Sequence, residues 1–254
     1  MSNSRRTGRG ARLRFWLQLP VFPIAFVQGK IARKTIPTLS EAAGPRTGVV
    51  NDANAASSDR APFSLAMLGE STAVGVGVER QEEGLGFYLA HALSKKMDRA
   101  VELQIVGKNG VTLEQIRRSF VDQIAFPVDA VVVILGVNDT TGLTRGSKWA
   151  SGIASLTHEL EARGAGAVLF SPVPPLGRFP SLPRAVRSML GPRVDYLDAI
   201  LEDVCGKEGA HYLAAELPDA PGVMSHDGFH PSAKGYALWA EALTAAWNVE
   251  KTRG

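Results

Sequence analysis

Ala130-Val131-Val132-Val133-Ile134-Leu135 is six apolar residues in a row, four of them β-branched. The run has no polar alternation, and strands buried on both faces, as in a parallel sheet between two helical layers, read this way. This is the expected centre of the sheet. Upstream, Phe63-Ser64-Leu65-Ala66-Met67-Leu68 reads as a strand that breaks at Gly69-Glu70-Ser71-Thr72. Leu85 to Met97 has helical apolar spacing, and Val101-Glu102-Leu103-Gln104-Ile105-Val106 alternates as a strand does. Thr112 reads as the N-cap of a helix that carries Leu113, Ile116, Phe120, Val121 and Ile124 on one face and ends before Pro127. Downstream come a helix from about Ser147 to Arg163, a strand at Ala167-Val168-Leu169-Phe170 and a proline-rich loop from Ser171 to Leu176. A helix near Val194 to Cys205, a short strand at His211-Tyr212-Leu213-Ala214 and a closing helix from Pro231 or Ser232 to Trp247 complete the chain. Five strands alternating with helices argue for an α/β fold with a parallel sheet covered on both sides.

Composition bounds the function. The chain has 254 residues, 45% hydrophobic and 21% charged, enough for one sizeable core. Its net charge of +3 is misleading, because Arg5, Arg6, Arg9, Arg12, Arg14, Lys30, Arg33 and Lys34 all lie in the first 34 residues, where there is no acid. Without these eight, 20 basic residues face 25 acidic ones, a body at −5, which disfavours nucleic acid as a partner. Cys205 is the single cysteine, so neither an intrachain disulfide nor a cysteine metal cluster can form, and its helical setting suits a buried structural thiol.

Phe15 to Val27 is strongly apolar but only 13 residues long, whereas a spanning helix needs about 20. No small-x-small cleavage site follows, which favours a cytoplasmic or membrane-associated chain, with export on an uncleaved segment as the alternative. Residues 13–34 suit peripheral membrane contact, with Trp16 and the phenylalanines at the acyl boundary and Arg and Lys on anionic headgroups. An arm packed on the domain is the competing reading. Residues 1–37 are thus assigned to an anchor or arm, 38–61 to a linker rich in Gly, Pro, Ser, Asn and Ala, and 62–249 to one domain.

In open α/β sheets ligands bind beyond the carboxyl ends of the strands. The candidate polar residues all sit there: Ser71 after the first strand, Gly110 after the second, Asn138 after the third, and Asp227 with His230 after the fifth. A neutral imidazole can take the Ser71 proton, and Asp227, three residues before His230, can accept Nδ1–H and fix the tautomer. Asn138 can aim an N–H at an oxyanion, and the Gly110 backbone N–H can approach one closely. Taken singly, Ser71 is equally a helix N-cap, Asn138 an Asx-turn and Gly110 a strand-to-helix turn. Their common placement sets the functional reading above these. Cys205, Asp129, His158 and His226 are given no chemistry, and His226 with His230 lacks a third metal ligand.

The blocks Gly69-Glu70-Ser71-Thr72, Gly110, Gly136-Val137-Asn138-Asp139 and Asp227-Gly228-Phe229-His230-Pro231, in this order, resemble the SGNH or GDSL-type serine hydrolases over roughly Phe63 to Trp247. One departure is Glu70, where that family usually has aspartate. The resemblance implies a flavodoxin-like three-layer α/β/α sandwich, a Ser71–His230–Asp227 triad, and an oxyanion hole made by the Ser71 and Gly110 N–H groups and the Asn138 side chain. It implies no metal and no organic cofactor. The expected substrate is a small-molecule or lipid-like carboxylic ester, with Pro174, Leu176 and Phe179, alongside Pro175 and Leu182, as walls of an acyl pocket. Two other classes compete: nucleotide binding at Gly75-Val76-Gly77-Val78, where Arg80 stands in place of the third glycine, and a membrane-tethered binding protein without chemistry.

Overall fold

The computed structural model of the chain describes residues 10, 17, 19–35, 37–51 and 60–249. Its sheet consists of β1 (Thr47–Val50), β2 (Phe63–Gly69), β3 (Val101–Gly107), β4 (Ala130–Ile134), β5 (Val168–Phe170) and β6 (His211–Tyr212), in the order β1-β3-β2-β4-β5-β6. The five expected strands all form and pair in parallel, with Leu65 opposite Ala130 and Gly69 opposite Ile134 in the central pair. A sixth strand corrects the expectation of five. β1 lies within the stretch assigned to a linker and runs antiparallel to β3, from Thr47 opposite Gln104 to Val50 opposite Val101. It is a four-residue edge strand paired on one side only, and Val49 is exposed, so it lacks the apolar run that marks the inner strands.

The helices are α1 (Phe22–Thr35), α2 (Leu85–Met97), α3 (Leu113–Ser119), α4 (Val137–Thr141), α5 (Gly146–Ala162), α6 (Arg184–Glu208) and α7 (Ala233–Ala246). Alternation along the strands builds two cores. Val131 and Val133 of β4 join Ile116, Trp149, Ile153 and Leu197 of α3, α5 and α6 on one face. Ala130, Val132 and Ile134 join Leu89, Leu93, Tyr236 and Trp239 of α2 and α7 on the other. This is a three-layer α/β/α sandwich.

α6 begins ten residues before the expected Val194, continuing through Gly191 and Pro192. Proline costs the helix one backbone donor. The apolar stripe of Val186, Leu190, Val194, Leu197 and Leu201 nevertheless runs unbroken across it into the core, and burial of that stripe outweighs the break signal. The helix opened by Thr112 has its capping box with Gln115 but stops at Ser119, and a 3-10 turn at Val121–Gln123 carries the chain onward.

From β2 the chain crosses to β3 on one side of the sheet, then back over β2 to β4 on the other. The loops after these strands therefore diverge around the end of β2, opening a crevice where Ser71 stands.

Candidate active site

Ser71 opens a tight loop directly beyond β2. Val76 N–H bonds to the Ser71 carbonyl at 3.0 Å, while Ala73 N–H bonds to that of Glu70 at 3.0 Å. The Tyr236 hydroxyl of α7 donates to the Val76 carbonyl at 2.6 Å and ties the loop to the closing helix. Gly77, with φ of +111°, lets the loop pass against the His230 segment: a Cβ there would sit 2.3 Å from the Pro231 carbonyl oxygen. The Gly75-Val76-Gly77 stretch weighed as a nucleotide motif thus serves a backbone crossing.

The Asp227–His230 turn is bonded internally. Asp227 Oδ2 lies 2.7 Å from His230 Nδ1, and Oδ1 accepts the backbone N–H groups of Phe229 and His230 at 2.8 and 2.9 Å. Burial alone would push this carboxyl up; the His230 ring and the two backbone donors outweigh it and hold it below the usual carboxylate range. The Phe229 ring meets Phe179 edge-on at 5.2 Å, and the Ser181 hydroxyl donates to the Gly228 carbonyl at 2.7 Å. These contacts fasten the turn to the loop that follows β5. Ser232 then caps α7 by accepting Gly235 N–H.

One pocket gathers Ser71, Thr72, Val137, the Pro172–Pro175 loop, Phe179, Phe229, His230 and Trp239. Its volume of about 20 Å³ leaves room for roughly one water molecule. The Thr72 hydroxyl is buried and unpaired. Ser71, His230, Pro174, Pro175 and Phe179 line this one pocket. Leu176 and Leu182 do not: the 3-10 turn at Leu176–Arg178 puts Leu176 into the core with Val173 and Leu190, and Leu182 joins the same cluster.

Gly110 sits at φ +82° in the turn after β3, exposed and with nothing within 4 Å of where a Cβ would stand. Asn138, in the first turn of α4, uses its side-chain amide inside the protein. One contact goes to Glu70 Oε2 and another, at 3.1 Å, to the Val111 carbonyl. Asp139 Oδ2 accepts Leu113 N–H at 2.8 Å and so fixes the start of α3. Glu70 is 1% exposed, and its Oε1 accepts Val137 N–H at 2.8 Å while Oε2 accepts Asn138 N–H at 3.2 Å. Burial raises Glu70 from its ordinary value to about 7, with these donors opposing the rise and the charge of Asp139 adding to it.

Glu70, Glu41 and Arg46 escape sequence reasoning. Glu70 is visible there only as a departure from aspartate. Glu41, in the stretch assigned to a linker, accepts Asn109 N–H at 2.7 Å and pairs with Arg46, which donates to the Gly107 carbonyl at 3.0 Å, so the Gly110 turn is braced from outside the domain limits drawn above. No local pattern marks a single carboxylate for such a task. The residues given no chemistry stay outside the site: His158 pairs with Glu208 at 3.0 Å, Asp129 accepts Ser64 N–H at 2.8 Å, His226 is exposed and Cys205 is buried with its thiol pushed up to about 12 by burial. Among the described residues no group of three or more His, Cys, Asp or Glu is placed to hold a metal.

The chain is thus a layered α/β protein with Ser71, Asp227 and His230 beyond the carboxyl ends of its strands. Residues 67–238 match the model of the GDSL-like lipase/acylhydrolase family, and the chain belongs to that family. A GDSL-like esterase of Mycobacterium tuberculosis is 32% identical over 198 residues, which cover 73% of this chain and 62% of that relative's length. Among solved structures, a lipase/acylhydrolase from Enterococcus faecalis superposes with a TM-score of 0.54 at 19% identity, over 72% of this chain and 94% of its own. A carbohydrate acetylesterase from Sinorhizobium meliloti gives 0.54 at 18%, over 72% and 97%. These two likenesses support the fold.

Proposed function

We propose that the chain is a serine esterase that transfers the acyl group of a carboxylic ester to Ser71 and then to water. The observation that carries this reading is that Ser71 and His230 line one pocket while the other ring nitrogen of His230 is held 2.7 Å from buried Asp227. Ser71 Oγ attacks the ester carbonyl as His230 Nε2 takes its proton; the tetrahedral oxyanion is met by the Ser71 and Gly110 N–H groups and by Asn138. His230 returns the proton to the leaving alcohol, then removes one from the water that hydrolyses the acyl-enzyme, while Asp227 holds the imidazole and balances its charge. The esterase and acetylesterase names of the relatives agree with this chemistry.

The narrow pocket, walled by Pro172–Pro175, Phe179 and Phe229, favours a short acyl group. Hydrolysis of p-nitrophenyl esters from acetate to laurate tests this: kcat/KM peaks at two to four carbons, and a peak at eight or more overturns the short-acyl assignment. Ser71→Ala lowers kcat by at least about a thousandfold, and a serine-directed fluorophosphonate labels Ser71 and nothing else. A folded Ser71→Ala variant that still hydrolyses esters overturns the esterase reading, as does wild-type protein that hydrolyses none, which would leave the non-catalytic binding protein.

A second observation concerns the alcohol side. α1 packs Ala25 and Gly29 toward α6, with Val186 beside Gly29, yet leaves Ile24, Phe26, Val27 and Ile31 more than half exposed. Lys30 lies over the Phe26 ring at 4.6 Å, and the first 34 residues carry eight basic side chains and no acid. We propose that this face rests on an anionic lipid surface and that the ester is presented there. Among the described residues no helix is long and apolar enough to cross a membrane.

A further inference from the structure

The Asn138 amide has two hydrogens, and both are engaged within the protein, one by Glu70 Oε2 and one by the Val111 carbonyl. A developing oxyanion on Ser71 must therefore win one of them from a partner, and a carboxylate is the stronger holder. Glu70 is anchored for this task. Its oxygens also accept the Val137 and Asn138 backbone N–H groups, so it caps the first turn of α4 and stands immediately before Ser71 in the chain. A negative charge there also opposes a second one forming on the oxyanion, in a setting where water does not screen it.

We propose that Glu70 is a positioning residue that governs the oxyanion hole: as carboxylate it retains the Asn138 N–H, and as neutral acid it releases that N–H to the oxyanion. The inference rests on the serine-esterase reading above. Burial places the change of state near neutrality, since Glu70 is raised to about 7. The charged groups around it are few. Asp139 on α4 bears on it directly; Lys148 of α5 and Arg193 of α6 face Asp139. His230 lines the pocket with Asp227 behind it at 2.7 Å, and Lys108, at the end of β3, is exposed. No cation pairs with Glu70 among these contacts, and the Val137 and Asn138 N–H donors that favour its ionised form are outweighed by burial.

The test is the pH profile of kcat on p-nitrophenyl butyrate for wild type, E70Q and E70D, with fluorophosphonate labelling of Ser71 measured alongside. Wild-type kcat has an acid limb, as catalysis by a general base requires, then falls above pH 7 as Glu70 ionises. E70Q keeps the acid limb and loses the alkaline fall, so that its kcat exceeds wild type by about tenfold at pH 8.5 with KM changed less than about twofold. E70D keeps a titratable carboxyl one methylene shorter and so keeps the fall, moved along the pH axis; this variant carries the test if E70Q does not fold. An alkaline limb of unchanged position in the folded variants, or wild-type kcat that does not fall above pH 7, overturns the proposal. If Ser71 is labelled and Ser71→Ala is inactive, that result leaves the esterase reading standing; an unlabelled, dispensable Ser71 overturns both.

Discussion

Two buried carboxyls of the site have opposite linkage to folding. Asp227 is held below the ordinary range, so the stability it contributes is present above the unfolded value of about 4 and is lost as pH falls through its folded one. Glu70 is raised from 4.5 to about 7, so across that window the folded chain binds more protons than the unfolded chain, and stability falls as pH rises. Replacing the carboxyl with an amide removes this penalty. Urea unfolding of Glu70→Gln should match wild type at pH 4.5 and exceed it by roughly 2–4 kcal/mol at pH 8, the penalty expected for ionising a carboxyl raised from 4.5 to about 7. Equal stability at both pH values would mean that Glu70 is charged throughout.

At the scale of elements, the site depends on how closely the loop after β2 passes the turn before α7. Gly77 stands at the crossing, where a methyl group meets the Pro231 carbonyl and the His230 Cβ, at 2.3 and 3.1 Å. Gly110 has the same left-handed backbone but open space beside it. Gly77→Ala should therefore lower stability by about 3 kcal/mol or more and kcat by at least about tenfold, because the clash pushes Ser71 and His230 apart. Gly110→Ala should cost only the backbone term of about 1–2 kcal/mol and keep its N–H. Thermal unfolding and kcat for the two variants check this contrast, and equal losses would refute it.

At the scale of the molecule, α1 is joined to the domain through α6, the helix that follows the loop bearing Phe179. Ile24→Glu, Val27→Glu and Ile31→Glu together leave Ala25 and Gly29 on α6 untouched. Sedimentation with phosphatidylcholine vesicles containing phosphatidylglycerol should fall by about tenfold or more in this variant, since burying three aliphatic side chains is worth a few kcal/mol. Hydrolysis of soluble esters should stay within about twofold. Undiminished sedimentation, or a wild-type dimer that the variant dissolves without any vesicle binding, would assign the face to another occupant.

The parallel strands, the helices between them and the Asp227–His230 turn were legible in the chain because each is written in relations over a few residues: the β-branched run of β4, the alternation of β3, the capping box at Thr112. The edge strand β1 and the first half of α6 were not, since one is paired on a single side and the other crosses Gly191-Pro192, and in both the deciding partner lies elsewhere in the sheet or core. Phe15, Trp16 and the arginines from Arg5 to Arg14 lie outside the described residues. Sequence by itself determined the layered α/β class and which serine, histidine and aspartate stand at strand ends. Only the tertiary structure decided that Glu70 reaches Val137 and Asn138, 67 and 68 residues away, that Glu41 braces the Gly110 turn, and that Leu176 belongs to the core. The reason is physical: periodicity reports which face of an element is buried, whereas hydrogen bonds between distant loops follow from strand order and close backbone approach, which no local pattern records.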